Sequence, residues 1–429
     1  MTRASSTAAA LSCALLAALA VPVRAQSPQD SLRATVDSLA QRLEDAEQAI
    51  HQLQGQVREQ GRNVIQTRSR NRLEISGLVL MNGFYNSART NNADAPSFVA
   101  APKDTTGLPN AALGAAVRQT RLGLTVSGMR ALGADLVADV QLDFYGGQQS
   151  STGGRTFPLP RIRTAFVKLD WRHVALLVGQ ETQVVSPWNP VSFAASGIPE
   201  FTAAGNLWFW VPQVRLGVTS GGSLRVGAQA AALAPMLGSP QTPFLTQADS
   251  AEKSRRPMVQ GRVFVAWGSG ETESTIGAGI HRGWIATSGD SLLTSEAYTA
   301  DARVFVGPKV MLQAEAFFNG QALAGLGGGG IGQQFGVGGV PVRTRGGWAQ
   351  LNVRPTELWE VGGGAGLDDP DQSDLPAAGR GRNVVWEAHL HFRPGGGLLL
   401  GAAYRRIETT YSTGTLTASH VNAFAGVAF

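Results

Sequence analysis

Arginine is the residue whose number and placement most suggest chemistry in this sequence. The chain carries 36 basic residues, and 32 of them are arginine. A guanidinium group can bind a carboxylate through two parallel hydrogen bonds. Seven arginines stand next to aliphatic residues in alternating segments, so in a strand they would share the opposite face, and Arg405 is expected to join them. The eight are Arg121, Arg161, Arg163, Arg215, Arg225, Arg262, Arg303 and Arg405.

Five acidic residues fall on the same polar face by the same rule. They are Asp135, Asp139, Asp143, Glu315 and Glu387. Basic and acidic walls that face each other across water would orient dipolar solutes in a transverse field. Since water screens the attraction, we expect a modest preference for anions and not tight binding. The alternative reading is that the excess of arginine reflects genomic composition.

Two other groupings could carry chemistry. Glu387, His389 and His391 share one predicted strand face and could ligate a metal, but no third partner is specified, and a water-lined face tolerates histidine. Ser419 and His420 are adjacent, so in a strand they point to opposite faces and cannot pair as nucleophile and base. We therefore expect no metal site, no cofactor and no enzymatic activity.

Alternation of apolar and polar residues is the dominant pattern from residue 72 onward. Tight turns between the segments are interleaved with longer loops rich in Gly, Pro, Ser and Thr. This layout predicts an all-β transmembrane barrel of 16 antiparallel strands over residues 72–429. The predicted strands lie near 72–87, 117–131, 134–147, 161–172, 174–183, 208–219, 223–236, 257–268, 272–285, 295–307, 309–323, 343–355, 358–369, 383–393, 398–411 and 416–429.

Composition excludes other classes. Charged residues make up 16% of the chain, below the roughly 25% typical of soluble domains. No apolar run after residue 25 approaches the ~20 residues of a membrane-spanning helix, so a multi-pass helical protein is excluded. The chain has a single cysteine, Cys13. Removing Arg3 and Arg24 with the N-terminal signal leaves a net charge of +3, too small to argue for nucleic acid.

The N-terminus is predicted to hold two segments outside the barrel. Residues 1–25 are typical of a secretory signal peptide, with an apolar run followed by small residues before Gln26. Residues 28–60 predict a coiled-coil helix, and residues 61–71 a linker. The heptad seam that would join partner helices consists of Leu32, Val36, Leu39, Leu43, Ala46, Ile50, Leu53 and Val57.

One long loop is expected to shape the lumen. The loop 184–205 contains Pro187, Trp188, Asn189 and Pro190, and we expect it to fold inward and set the channel radius, although it could instead stand outward in solvent.

The chain ends on Phe429 after an alternating segment. A terminal aromatic of this kind resembles the assembly signal of bacterial outer-membrane barrels.

Several short motifs carry a family resemblance. They are the heptads from Leu32 to Val57, Arg118-Gln119-Thr120-Arg121-Leu122-Gly123, Arg161-Ile162-Arg163 with Ala165-Phe166-Val167, Gly179-Gln180, Gly205-Asn206-Leu207-Trp208 and Pro212-Gln213-Val214-Arg215. With this layout the chain resembles general porins of the DcaP-like subgroup. The resemblance implies a homotrimer in outer-membrane lipid that takes up small anionic solutes such as dicarboxylates, with its coiled coil in the periplasm. An outer-membrane enzyme of the phospholipase type and a surface adhesin remain the alternatives.

Overall fold

The computed structural model describes residues 64–66, 71–101, 107, 109–147, 158–237, 247–288 and 291–429. Short 3-10 helices lie at Glu252–Ser254, Gly270–Thr272, Ala324–Leu326, Val337–Gly339 and Gln372–Asp374. No helix of these ranges is long and apolar enough to cross a membrane. The strands are β1 (Val64–Gln66), β2 (Arg72–Asn86), β3 (Ala112–Ala116), β4 (Arg121–Ala131), β5 (Ala134–Asp143), β6 (Arg161–Trp171), β7 (Val174–Thr182), β8 (Trp210–Thr219), β9 (Leu224–Leu233), β10 (Met258–Trp267), β11 (Ser274–Ala286), β12 (Leu292–Val306), β13 (Val310–Gln321), β14 (Arg343–Val353), β15 (Trp359–Pro370), β16 (Arg380–Gly395), β17 (Leu398–Tyr411) and β18 (Gly414–Ala428).

These strands form one antiparallel sheet that closes on itself. From β4 to β18 every strand pairs with the next, and β18 pairs with β2. β3 and β4 follow each other along one edge of β2 and act as a single interrupted strand. The result is the predicted closed barrel of 16 antiparallel strands. Closure satisfies the backbone groups that an open sheet would leave at its edges.

The strand next to β2 differs from its prediction. The sequence indicated one strand over 117–131, but the structure has β3, then an interruption at 117–120, then β4. Thr120 replaces backbone pairing there, because its hydroxyl oxygen accepts from the Leu80 nitrogen at 3.1 Å. Gln119 turns inward and is fully buried. Its amide group binds the backbone of Ala194, Ser196 and Gly197 inside the barrel, which explains why regular pairing stops here.

Strand β1 was not predicted. It lies within the predicted linker 61–71 and pairs with the start of β2, from Val64 opposite Glu74 to Gln66 opposite Arg72. The other edge of that part of β2 is taken by β4. The predicted signal peptide (1–25) and the predicted coiled-coil helix (28–60), with its heptad residues, lie outside the described residues.

The two faces of the sheet have opposite polarity. Aliphatic side chains lie exposed on the outer face, and those of Val140, Ile162, Val214 and Val263 are between 41% and 60% exposed. The inner face, which surrounds the lumen, carries buried polar residues such as Gln260, Asp301, Gln313, Glu387 and Asn422. A soluble protein buries its apolar face, whereas a transmembrane barrel turns it toward lipid. The barrel has the second pattern.

The lumen is not polar throughout. Three buried apolar clusters lie where the β7–β8 connection packs on the inner wall. Each joins apolar loop residues to apolar wall residues: Val184 and Leu207 with Leu233, Met258 and Phe317; Phe201 and Ala204 with Trp348, Val385 and Ile407; Ala194 and Phe193 with Leu80, Leu399 and Phe424. The period-2 pattern did not predict apolar side chains at these inward positions, because the loop that covers them is distant in sequence.

Candidate functional site

The connection between β7 and β8, residues 183–209, lies inside the barrel. Its backbone is held by side chains from separate strands of the wall. The Val184 nitrogen donates to Gln260 Oε1 on β10 at 2.9 Å, and the Val191 nitrogen donates to Gln350 Oε1 on β14 at 2.7 Å. On the opposite side, Gln119 Nε2 donates to the Ala194 oxygen at 3.0 Å. A segment that contacts both β14 and the β3–β4 interruption crosses the lumen.

Of the four residues expected to form a constriction, Trp188 lies against β12 and β13. The Trp188 nitrogen donates to Glu315 Oε1 at 2.8 Å, and its indole Nε1 donates to Asp301 Oδ2 at 3.2 Å. Ser186 donates its hydroxyl to the same Glu315. Asn189 Oδ1 accepts from Asn206 Nδ2 at 3.3 Å. Pro187 and Pro190 flank this turn and restrict its backbone, so the segment is narrowly fixed.

The far end of the loop is fixed by a buried ion pair and by close backbone contact. Arg405 Nε lies 2.6 Å from Glu200 Oε2, and both side chains are buried. Burial raises the pKa of Glu200 to about 7, and the charge of Arg405 opposes that rise. Gly205 has φ +99° and lies against β14, where a Cβ would come 2.3 Å from the Gly347 oxygen. Only glycine allows this approach.

The basic residues of β6 share one carboxylate and also hold the loop. Arg161 binds Asp143 through two hydrogen bonds of 3.1 and 2.7 Å, and Arg163 Nη1 lies 3.0 Å from the same carboxylate. Arg163 also donates to the Ser196 oxygen at 2.7 Å, and Arg161 to the Gly197 oxygen at 2.5 Å. Two guanidinium charges are therefore matched by one acid.

Three further predicted arginines are paired with single acids. Arg215 lies 2.9 Å from Glu181. Arg262 binds Asp301 through two hydrogen bonds of 2.8 and 2.6 Å, with both side chains almost completely buried. Arg225 pairs with Glu273 near the β10–β11 turn. These pairs cancel locally and contribute little net field to the lumen.

Arg121 and Arg303 form no ion pair with the described residues. Arg121 lies opposite Asp143 in the β4–β5 register but makes no hydrogen bond to the described chain. Arg303 lies over the rings of Trp188, at 5.0 Å, and Phe305, at 5.1 Å. Its Nε is buried and has no partner among the described residues. These two cations and the shared β6 pair give the β4–β12 wall its surplus of positive charge.

The predicted acids also lie on the inner face, but their surroundings differ. Asp139 accepts hydroxyl hydrogen bonds of 2.8 Å from Thr125 and from Thr164. Asp135 is exposed at the β4–β5 turn beside Arg130, 3.3 Å away. Glu387 accepts from Gln350 at 3.3 Å and contacts His389. Asp143 and Glu315 are occupied by the arginines and the loop described above, so no uniform acidic wall is formed.

Phe429 lies at the seam where the barrel closes. Its nitrogen donates to the Gly77 oxygen at 3.0 Å, and the Gly77 nitrogen donates to its oxygen at 2.8 Å. The ring covers Gly77, where a Cβ would lie 2.4 Å from the ring. The terminal aromatic thus completes the pairing of the last strand with the first.

A cavity of about 450 Å³ opens on the inner face of β6–β9, toward the short turns. Its charged lining includes Lys168, Asp170, Glu181 and Arg215. The cavity can hold a small charged solute in water.

Ser419 and His420 do not pair in this cavity or elsewhere in the described residues. Ser419 contacts the Tyr404 hydroxyl on the outer face, while His420 is buried on the inner face against Asn86. The two side chains therefore cannot act together as nucleophile and base.

Comparison with known proteins identifies the architecture. No family model matches the chain, and no curated protein matches it in sequence. The outer membrane channel DcaP of Acinetobacter baumannii is 16% identical over 85% of this chain and 99% of that chain, with a TM-score of 0.64. This chain has the DcaP fold. An anion-selective porin from Comamonas acidovorans is 14% identical over 84% of this chain and 100% of that chain, with a TM-score of 0.53.

Within this DcaP fold, only one acid that neutralises the predicted arginines, Asp143, was found from sequence. Glu181, Glu200, Glu273 and Asp301 were missed, and each pairs with a predicted arginine. Asp301 precedes Arg303 by two residues, so the same period-2 rule could have placed it on the inner face. Glu200 lies in the loop, where no periodicity applies. The sequence offered no signal for its contact with Arg405.

The Arg262–Asp301 pair allows a stability prediction. Asp301→Asn keeps the shape of the side chain but leaves a buried guanidinium without its counter-charge. We expect the free energy of unfolding to fall by about 3–5 kcal/mol. Urea unfolding in detergent, followed by the electrophoretic shift between folded and heated protein, measures it. Asp369→Asn is the matched control, because its partner Arg345 is exposed. Equal stability of the two variants would contradict the prediction.

Proposed function

We propose that this chain is a porin of the bacterial outer membrane. It forms a water-filled channel through which small hydrophilic solutes diffuse passively, with a preference for anions such as dicarboxylates. The single observation that carries the proposal is the closed barrel with an aliphatic outer face and an inner face rich in polar residues. A protein of this polarity is stable when lipid surrounds it and water fills it. The fold shared with DcaP, described as an outer membrane channel, agrees with this reading.

The preference for anions rests on the surplus of guanidinium groups. Arg161 and Arg163 share one acid, and Arg121 and Arg303 have no paired acid among the described residues. A carboxylate that enters this wall can accept paired hydrogen bonds from a planar guanidinium. Water in the lumen keeps the attraction weak enough for release. The porin from Comamonas acidovorans is described as anion-selective, and that property belongs to that protein. For this chain, anion selectivity is proposed on the basis of these arginines.

Conductance is the direct test of the channel. Purified, folded protein added to a planar lipid bilayer should produce stepwise increases in current. In a salt gradient, the reversal potential should have the sign expected for an anion-preferring pore. Heat-modifiable, folded protein that inserts and gives no steps would contradict the porin proposal. It would favour instead the enzyme or adhesin alternatives.

We further propose that the chain acts as a homotrimer joined by the N-terminal heptads. The mature protein would begin at Gln26, with the coiled coil in the periplasm. Deleting residues 28–60 should lower the oligomeric state in detergent, because an isolated a/d seam is stable only against partner helices. Light scattering coupled to size exclusion measures the mass. A variant that remains as large an oligomer as the full chain would refute the role of the helix, while its bilayer conductance reports whether the barrel survives.

A further inference from the structure

Three potential metal ligands meet on the inner wall near the short-turn end of β15 and β16. Glu360 lies opposite His391 in the register of these strands, and His389 lies one pair further along the same face. One donor atom of each residue lies within 4.8 Å of the others, and all three residues are buried. The sequence indicated the two histidines and placed them beside Glu387. The third ligand comes from the neighbouring strand and was not visible in the linear pattern.

Each imidazole is oriented by a carboxylate. His391 Nδ1 lies 2.8 Å from Glu360 Oε1, and His389 Nδ1 lies 2.7 Å from Glu387 Oε1. The Nε2 atoms of both rings are buried and have no hydrogen-bond partner among the described residues. An orphaned buried nitrogen needs an explanation, such as a bound ion. In His389 the free Nε2 faces away from Glu387, as is typical of histidines that ligate metals, whereas His391 would ligate through Nδ1, the nitrogen that faces Glu360.

The backbone beneath the histidines leaves room for this arrangement. The two rings are stacked with centroids 4.3 Å apart and an interplanar angle of 17°. His389 lies over Gly362, where a Cβ would come 2.4 Å from its Nε2 and 2.5 Å from Asn352 Oδ1. That amide oxygen also lacks a partner among the described residues. A side chain at position 362 would displace the imidazole.

We propose that Glu360, His389 and His391 form a binding site for a divalent transition-metal ion in the barrel lumen. Two imidazoles and one carboxylate suit zinc, copper or nickel, whereas calcium and magnesium prefer oxygen ligands alone. Glu360 also contacts Arg354 and Arg393, the latter at 3.3 Å. The ion would compete with these guanidinium groups for one carboxylate oxygen. The site stands on these contacts and does not require the channel to be selective.

The test uses the full mature chain, folded in detergent, without a histidine tag and stripped with a chelator. Copper(II) is titrated in, and the electron paramagnetic resonance spectrum is followed together with calorimetry. We expect one ion per chain and hyperfine splitting from two nitrogens. His389→Gln and His391→Gln should each remove that signal. Glu387→Gln, which removes the carboxylate that orients His389, should weaken binding by about 10–100-fold.

The control variant is His173→Gln, because His173 is exposed at the β6–β7 turn and contacts only the Thr219 oxygen among the described residues. It should leave binding unchanged. The proposal is overturned if the unaltered protein gives no nitrogen-coordinated copper. It is equally overturned if the double variant His389→Gln/His391→Gln, folded by electrophoretic shift, binds as the unaltered protein does. The first outcome needs no variant to fold, and neither depends on conductance, so the porin proposal is tested separately.

Discussion

Replacing residues 187–199 by a short Gly-Ser linker is expected to raise the single-channel conductance several-fold. The segment crosses the lumen and is held from opposite sides by Glu315, Gln350 and Gln119. Removing it should widen the water path through the lumen, and the current through a pore rises with its cross-section. The measurement is the step size in planar bilayers at fixed salt.

A point variant separates a change of radius from loss of the barrel. Glu315→Ala removes the acceptor for the Trp188 nitrogen and the Ser186 hydroxyl, so it should loosen the segment and give a smaller rise in conductance with more current noise. Asp371→Ala is the control, since this exposed residue lies in the β15–β16 connection and contacts no part of the loop in the described chain. Step sizes equal to those of the unaltered protein in a folded loop-replaced variant would show that this segment does not limit the current.

The second large effect concerns selectivity. The double variant Arg161→Ser/Arg163→Ser should lower the ratio of anion to cation permeability. If the ratio falls below one, the reversal potential changes sign. The two arginines and Asp143 together carry one net positive charge, and the double variant lowers the local charge by two units. A fixed charge in a narrow pore attracts ions of the opposite sign. The reversal potential in a potassium chloride gradient measures the ratio.

A third variant extends this prediction to the order of three reversal potentials. Adding Asp143→Asn to the double variant raises the local charge by one unit, so its reversal potential should fall between those of the unaltered protein and the double variant. Arg345→Ser serves as the control for loss of arginine, because Arg345 is 75% exposed. A reversal potential that does not move in the double variant would place the selectivity elsewhere. Any change of conductance is separate, since the same arginines also hold loop carbonyls.

Most of the barrel was predictable because its strands obey a local rule. β5 was predicted over 134–147 and lies at Ala134–Asp143, and β17 was predicted and found at Leu398–Tyr411. In a lipid-facing barrel, the polarity of each residue matches the side of the sheet that it faces. The alternation along one strand can therefore be recognised without knowing which strands pair with it. The rule failed at 117–120, where Thr120 and Gln119 bond to distant groups and interrupt the strand.

The site was predictable only in part. Period 2 placed the arginines on a face, and the register agrees with that placement for Arg262, which lies opposite Gln229 and Gly279. It did not indicate which arginines are neutralised. Asp143 serves two of them, Arg303 stacks on Trp188, and Arg405 is paired with a loop residue. Ions that pass through the lumen respond to charged side chains that have no counter-charge. Which side chains these are depends on the pairings and not on residue type.

The sequence by itself determined the polarity of the two faces, the approximate positions of most strands and the even strand count. These follow from backbone pleating and from the need to satisfy every peptide group in lipid. Only the tertiary structure decided what occupies the lumen. The loop 183–209, the shared carboxylate of Asp143 and the meeting of Glu360 with His389 and His391 join residues that are far apart in the chain or on neighbouring strands. Such contacts depend on barrel closure and register, and no local pattern encodes them.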